Sequence, residues 1–312
     1  MDKSTQNKTV YIGFALAILT CIIWAGNFII ARGVHDQIPP ITLAFFRWST
    51  ASVIIFFLGI KSFLKEKQHI ISNWRYIFWV TLTGIVLFNT FIYIAGHYTP
   101  AINLALIGTT SSPVFVILIS AFFLKEKISP LRITGLILCI SGILMLLSKG
   151  SIDRLLGFRF TPGDYFILCS AFVFAIYNIL VRRKPAAISA LTFLFTIFIG
   201  GTLILMLFSI MEMQLSAPIT WNNELYGSIL YLGIGASVIS FLCWNAAIAR
   251  IGSVRTALFG NLIPIISTLE AVWLLNERIT WVHLVSGVLV ISGLVIANTR
   301  KAHTPQKQAV PA

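Results

Sequence analysis

Two ionisable residues stand inside long apolar runs of this chain: Arg47 within Leu43-Ala-Phe-Phe-Arg-Trp48 and Glu270 within Thr256–Leu275. At membrane depth such a group costs roughly 2.5–3.5 kcal/mol on insertion scales, so each needs a partner or a task. Counted along their helices, Arg47 lies about two turns, and Glu270 a little over one turn, from the outer ends of their runs, at comparable depths. Arg47 could meet a substrate carboxylate and Glu270 an ammonium or a proton, as a binding or gating pair. The two could equally form a structural ion pair, with Glu270 snorkelling to the interface.

Pro113 falls near the middle of Ala101–Leu124, and Pro264 near the middle of Thr256–Leu275, the run that holds Glu270. Proline donates no hydrogen bond and clashes with the carbonyl four residues back. The carbonyls of Thr109 and Gly260 would be freed, able to accept from a substrate, unless the prolines only shape a kink. Asn27, Asn89, Asn178, Asn245 and Asn261 are apolar-run amides that could bond a substrate or tie neighbouring helices. At about 100° per residue, Asn261 and Glu270 point almost oppositely, so the two share a cavity only if Pro264 twists the helix. Trp24, Tyr93, Tyr177 and Trp244 lie beside these amides and could stack on a cargo or simply pack. Trp74, Trp79, Trp221 and Trp281 fall near run ends, where an aromatic belt forms.

The elements that must hold these side chains follow from composition. The 312 residues are 57% hydrophobic and 11% charged, against roughly 25% charged in soluble domains. Mean hydropathy is +0.90. A soluble body could not hide that apolar surface; a bilayer accommodates it. Apolar runs cover Tyr11–Ala31, Ile41–Ile60, Tyr76–Ala95, Ala101–Leu124 and Leu131–Leu147, then Asp164–Val181, Leu191–Ile210, Tyr226–Ala247, Thr256–Leu275 and Trp281–Ala297. They lack the alternation of barrel strands, so they are expected to be ten membrane helices in an all-α fold. The first run is too long for a signal-peptide core and is treated as retained.

Of 23 Lys and Arg, the odd-numbered loops hold only Arg32, Lys149, Arg154, Arg159 and Arg278. Arg47 is inside a run, and the other seventeen lie on the opposite side with both termini, which places the termini in the cytoplasm. The net charge of +13 therefore reflects membrane orientation, with no basic domain for nucleic acid. Cys21, Cys139, Cys169 and Cys243 show no ligand spacing and read as packing residues. Five histidines form no H-x-x-x-H pair and no P-loop occurs, so no metal, cofactor or direct ATP drive is expected.

An offset of 151 superposes Asn27 on Asn178, Arg32 on Arg183, Pro113 on Pro264, Glu126 on Glu277, and Ser141-Gly142 on Ser292-Gly293. Five runs per half make the second repeat enter from the opposite side. Residues 11–147 and 164–297 are the expected inverted repeats, with 298–312 a polar cytoplasmic tail. Inverted repeats are a recurring plan of secondary transporters, whose cargo site lies near the midplane between the halves. Glu126 and Glu277 stand just before helix starts, where the dipole favours an acid, and Ser129 and Thr280 have N-cap positions. Gly142, Gly287 and Gly293 suit close helix contact.

The run Trp24-Ala-Gly-Asn-Phe-Ile-Ile30, then Ile38-Pro-Pro40 and Leu43–Trp48, resembles the start of EamA-type members of the drug/metabolite transporter superfamily. The two Leu-x-Glu-x-Ile-Ser/Thr turns around Glu126 and Glu277 are similar to that family's repeat endings. The resemblance, from about Tyr11 to Ala297, implies a ten-helix, non-enzymatic carrier of the bacterial cytoplasmic membrane. It implies export of amino acids or related metabolites by alternating access around a cavity lined by the first, third, fourth, sixth, eighth and ninth helices. The related small multidrug exporters use an acidic residue in their first helix, and this chain has none there. The expected partners are a small-molecule substrate and the lipid bilayer. Open alternatives are an importer or nucleotide-sugar-like exchanger, a membrane-embedded lipid enzyme, or a channel.

Overall fold

The computed structural model describes residues 3–122, 129–156, 160–251, 256 and 259–298. Ten apolar helices follow in order: α1 Lys3–Gly33, α2 Pro40–Ser72, α3 Trp74–Gly96, α4 Ala101–Phe122, α5 Pro130–Leu147, α6 Pro162–Arg182, α7 Ala190–Leu215, α8 Asn223–Ile251, α9 Gly260–Leu275 and α10 Trp281–Asn298. Seven are long and apolar enough to cross a bilayer, and Ile133–Leu147, Gly260–Leu275 and Trp281–Ile296 are shorter apolar helices. No strand occurs among the described residues. The chain is a polytopic membrane protein of ten helices in two inverted five-helix repeats.

Inversion is visible in how equivalent helices meet. α2 lies against α7, and Glu212 near the end of α7 accepts from the Ile41 N–H (3.1 Å), the Thr42 N–H (2.7 Å) and the Thr42 hydroxyl (2.8 Å) at the start of α2. In return Glu66, near the end of α2, accepts from the Ser189 N–H at 2.8 Å, at the start of α7. Each carboxylate thus satisfies orphan donors of the partner helix and complements its dipole. Pro40 and the Ser189 N-cap make these starts, since proline loses nothing at the first turn. α2 has 33 residues, about 50 Å at 1.5 Å each, against a hydrocarbon core of roughly 30 Å. It therefore runs past the expected end at Ile60, carrying Lys61, Lys65, Glu66 and Lys67 beyond the apolar layer.

α5 and α10 form the second antiparallel pair. The Cys139 thiol donates to the Val290 carbonyl at 3.5 Å. A Cβ on Gly142 would come within 2.9 Å of the Ser286 carbonyl, and one on Gly293 within 2.6 Å of the Gly135 carbonyl. Only glycine lets these backbones approach so closely. Gly287, expected to serve the same contact, faces open space instead. Of the cysteines, Cys21 and Cys139 are buried, whereas Cys169 is exposed on its helix.

Two more expectations gain detail. Glu277 does sit at a helix N-terminus, but at that of α4, where it accepts from the Ala101 and Ile102 N–H groups at 2.6 and 3.0 Å. Thr256 and Phe259 are α-helical, the 3-10 turn Gly260–Leu262 interrupts the run, and the α-helix resumes at Ile263, with its first turn holding Pro264. Its freed acceptor, the Gly260 carbonyl, takes the Ile263 N–H. Glu126 and the tail 299–312 lie outside the described residues. Trp74, Trp79, Trp221 and Trp281 are all exposed near helix ends, as belt residues are.

Two irregularities had no sequence expectation. α3 and α8 each contain a π-helical stretch, Leu82–Leu87 and Tyr231–Ile239, at matching places in the two halves. Such wide turns misalign one carbonyl from its donor and occur often at functional sites. In α8 the Ser237 hydroxyl fills the gap by donating to the Leu232 carbonyl, 2.9 Å away.

Candidate functional site

A cavity of about 510 Å³ lies between the halves. Trp24 and Asn27 of α1, Arg47 and Trp48 of α2, Phe88 and Asn89 of α3, and Thr109 and Pro113 of α4 line it. Tyr177, Asn178 and Arg182 of α6, Phe241 of α8, Gly260 and Asn261 of α9, and Leu294 of α10 complete most of the wall. Besides the six helices expected, α2 and α10 contribute.

Arg47 organises this wall. Its side chain is 5% exposed, and its guanidinium donates to four neutral oxygens. Nε reaches the Ser237 hydroxyl at 2.9 Å, while Nη1 reaches Asn27 Oδ1 at 2.6 Å, Asn89 Oδ1 at 2.8 Å and the Tyr93 hydroxyl at 2.9 Å. Tyr93 in turn donates to Asn27 Oδ1 at 3.1 Å. One side chain thereby ties α1, α2, α3 and the π stretch of α8. The guanidinium also stands 5.0 Å from the Trp48 ring centroid, a favourable cation–π placement. Because a guanidinium only donates, both amides must turn their oxygens toward it. Their Nδ2 groups are left as donors facing elsewhere.

The expected pairing of Arg47 with Glu270 is absent. Among the described residues the one ion pair joins His35 and Asp36. Glu270 is not in the cavity wall, and its Oε2 is buried with no hydrogen-bond partner. The helical phase explains this: α9 is regular beyond Pro264, so Asn261 faces the cavity and Glu270 the other way.

The remaining predicted residues separate into two groups. Trp24, Asn27, Asn89, Thr109, Pro113, Tyr177, Asn178, Gly260 and Asn261 share the cavity with Arg47. Asn178 spends its Nδ2 on the Phe174 carbonyl at 2.9 Å, leaving Oδ1 as acceptor. Tyr93, Trp244, Asn245 and Pro264 are outside the wall. Tyr93 is behind Arg47, Trp244 packs on Trp24 with centroids 5.1 Å apart, Pro264 is buried, and Asn245 is exposed away from the site. Sequence reasoning missed Ser237, Trp48, Arg182 and the phenylalanines of the wall. Ser237 carried no signal in a Gly-rich apolar run, while Trp48 could have been inferred as the neighbour of Arg47.

The wall reaches Ala121 and Arg182, at one end of their helices. At the opposite end, loops are bonded shut. Arg32 donates to the Gly96 and His97 carbonyls at 3.0 and 3.4 Å. Gln37 donates to Glu224 at 3.2 Å, Asn222 donates to Gln37 Oε1 at 3.1 Å, and the Thr220 N–H donates to the Gln37 carbonyl at 2.9 Å.

Comparison with known proteins agrees with this architecture. The model of the EamA-like transporter family matches residues 11–148 and again 161–299. An uncharacterized transporter of Archaeoglobus fulgidus is 28% identical over 92% of this chain and 97% of its own. A protein of Escherichia coli strain K12 named "probable amino-acid metabolite efflux pump" is 25% identical over 90% of this chain and 93% of its own. A crystal structure 20% identical superposes with a TM-score of 0.59, covering 93% of this chain and 96% of that one, which shows a shared fold.

Proposed function

We propose that this chain, which belongs to the EamA-like transporter family, exports amino acids or related small metabolites by alternating access. One observation carries the substrate side of the proposal: a buried guanidinium, held in place by four neutral oxygens and with no carboxylate partner among the described residues, faces a cavity between two inverted repeats. A buried cation without an anion is unfavourable, and a carboxylate-bearing cargo supplies the missing charge. Asn27, Asn89, Asn178 and Asn261 offer polar contacts, and Trp24, Phe88, Tyr177 and Phe241 an apolar wall.

The basic residues support an orientation with both termini in the cytoplasm of a bacterial inner membrane. In that frame the bonded loops close the outer end and the cavity extends inward toward Arg182. Exchange of conformation between near-equivalent halves would carry the cargo across. Glu270, half-buried away from the cavity with its Oε2 enclosed and unpartnered, is the proposed proton or gating residue, acting on α9 rather than on the cargo.

Efflux from proteoliposomes loaded with an amino-acid panel tests this. Saturable efflux that Arg47→Ala abolishes supports the carrier, and a pH-gradient requirement lost in Glu270→Gln supports proton coupling. Unsaturable flux would sink the carrier in favour of a channel.

A further inference from the structure

The charge of the cavity wall carries the reading of Arg47 one step further. Among the described residues two cations line it, Arg47 deep inside and Arg182 at the end of α6, and no Asp or Glu does. The acid that could have balanced them, Glu270, is turned away on the far face of α9. An amino acid entering this space would find a partner for its carboxylate but only neutral oxygens for its ammonium.

Polar groups around Arg47 reinforce the asymmetry. The guanidinium fixes Asn27 and Asn89 with their amide oxygens consumed and their Nδ2 donors free to face other groups. Trp48, whose ring lines the same cavity, has a buried indole N–H with no hydrogen-bond partner. The Trp48 N–H is enclosed, so the amides of the cavity-lining Asn27 and Asn89 are the neutral donors left beside the cation, a set suited to an acceptor carrying negative charge. Apart from Thr109, Ser112, Asn178 and Asn261, whose groups are neutral, the wall is mainly apolar and aromatic, with Phe28, Phe88, Phe174 and Phe241 among its members. The volume of about 510 Å³ suits a cargo of aromatic amino-acid size.

We infer that the preferred cargo is an organic anion, a carboxylate on an apolar or aromatic body without a free α-ammonium, anchored by Arg47. Arg182, exposed at the end of the cavity, attracts the anion before Arg47 binds it. This inference rests on the transporter reading above for its biological sense, and on the cavity alone for its chemistry.

Matched pairs that differ only in the ammonium test it. Binding to the purified full chain in detergent would be measured by calorimetry for 3-phenylpropionate against phenylalanine, indole-3-propionate against tryptophan, and 4-methylpentanoate against leucine. Phenethylamine serves as the cation control. At least one anion is expected to bind tenfold or more tightly than its amino acid, with phenethylamine silent and binding lost in Arg47→Met. Arg182→Gln should weaken anion binding severalfold at low ionic strength and much less at high salt, because an exposed charge is screened. An Arg47→Met variant with a normal melting curve and no binding rules out unfolding as the cause.

Equal or tighter binding of the amino acids, or no binding by any pair, would overturn the inference. Flux of the same compounds in proteoliposomes separates the two readings. Anion-selective binding without saturable flux supports the cavity chemistry and removes the carrier. Saturable flux that favours the amino acids keeps the carrier and removes the anion preference.

Discussion

Cys139 and Val290 stand 151 residues apart and touch, the thiol of one donating to the carbonyl of the other at 3.5 Å. The same offset superposes the two repeats, so each of these residues meets its own counterpart. Only positions on a two-fold axis can do that. Ser52 and Thr202, with hydroxyls 2.9 Å apart, fall one residue short of that offset and bring α2 and α7 together close to the same axis. The pseudo-two-fold axis therefore runs from the α2–α7 pair to the α5–α10 pair. The cavity, walled by Arg47 at one side and Leu294 at the other, lies along it.

Close approach at the axis makes its glycines sensitive. A Cβ on Gly293 would meet the Gly135 carbonyl at 2.6 Å and the Cys139 nitrogen at 2.8 Å, both backbone atoms that cannot swing aside. Gly293→Ala is expected to destabilise by about 1–3 kcal/mol, the range for overpacking. Gly287→Ala, on the same helix with nothing within 4 Å, is expected to be neutral. Thermal melts of the two detergent-purified variants would show the difference, and equal melts would refute the axis packing.

Tyr93 is outside the cavity yet holds both Arg47 and Asn27 through its hydroxyl. Tyr93→Phe keeps the ring and removes only these bonds, each worth about 1 kcal/mol. The guanidinium would lose one of four acceptors and part of its fixed orientation. The expected result is a severalfold rise in KM with kcat nearly unchanged, measured by proteoliposome uptake kinetics, alongside a small fall in melting temperature. A fall in kcat alone would assign Tyr93 to the conformational cycle instead.

The reciprocal caps predict a stability ranking. Glu212→Ala removes the acceptor of two backbone N–H groups and one hydroxyl at the start of α2, and should cost about 1–2 kcal/mol. Glu212→Gln retains one accepting oxygen and should lose less. Glu277→Ala uncaps α4 in the same way. Melting temperatures in the order wild type, Gln, Ala would establish capping, whereas equal losses for Gln and Ala would point to a need for full charge.

The ten helices and their inversion were legible because both rest on composition and on one gapless offset. Arg47 was legible because a lone guanidinium in an apolar run has few bland explanations. Its acceptors were not. Ser237 sits 190 residues from Arg47, and the π turn that presents it leaves no periodic trace in Tyr231–Ile239. Glu277 was recognised as a cap but assigned to its own neighbourhood, since sequence spacing cannot show that α4 begins beside it. Glu270 failed as a partner of Arg47 because comparable depth says nothing about helical phase, although the 100° rule applied to Asn261 already pointed away from a shared cavity.

At the bonded end of the molecule, just beyond α3, His97 introduces a pH dependence. Partial burial holds its imidazole below the usual histidine range, and the His35 and Arg32 charges push it the same way while Asp36 opposes them. The His35 and His97 rings are 5.7 Å apart, and Arg32 donates to the His97 carbonyl at 3.4 Å. A base with a lowered native pKa binds fewer protons folded than unfolded, so stability rises with pH between the two values. Its contribution is fully present above the unfolded value near 6.5 and declines as pH falls through that window. Melting temperature should therefore drop on acidification from pH 7.5 to 5. His97→Gln, which cannot protonate, should flatten part of that slope while leaving the pH 7.5 value within about 1 kcal/mol, the scale of one hydrogen bond. An unchanged slope in His97→Gln would move the acid sensitivity to another group.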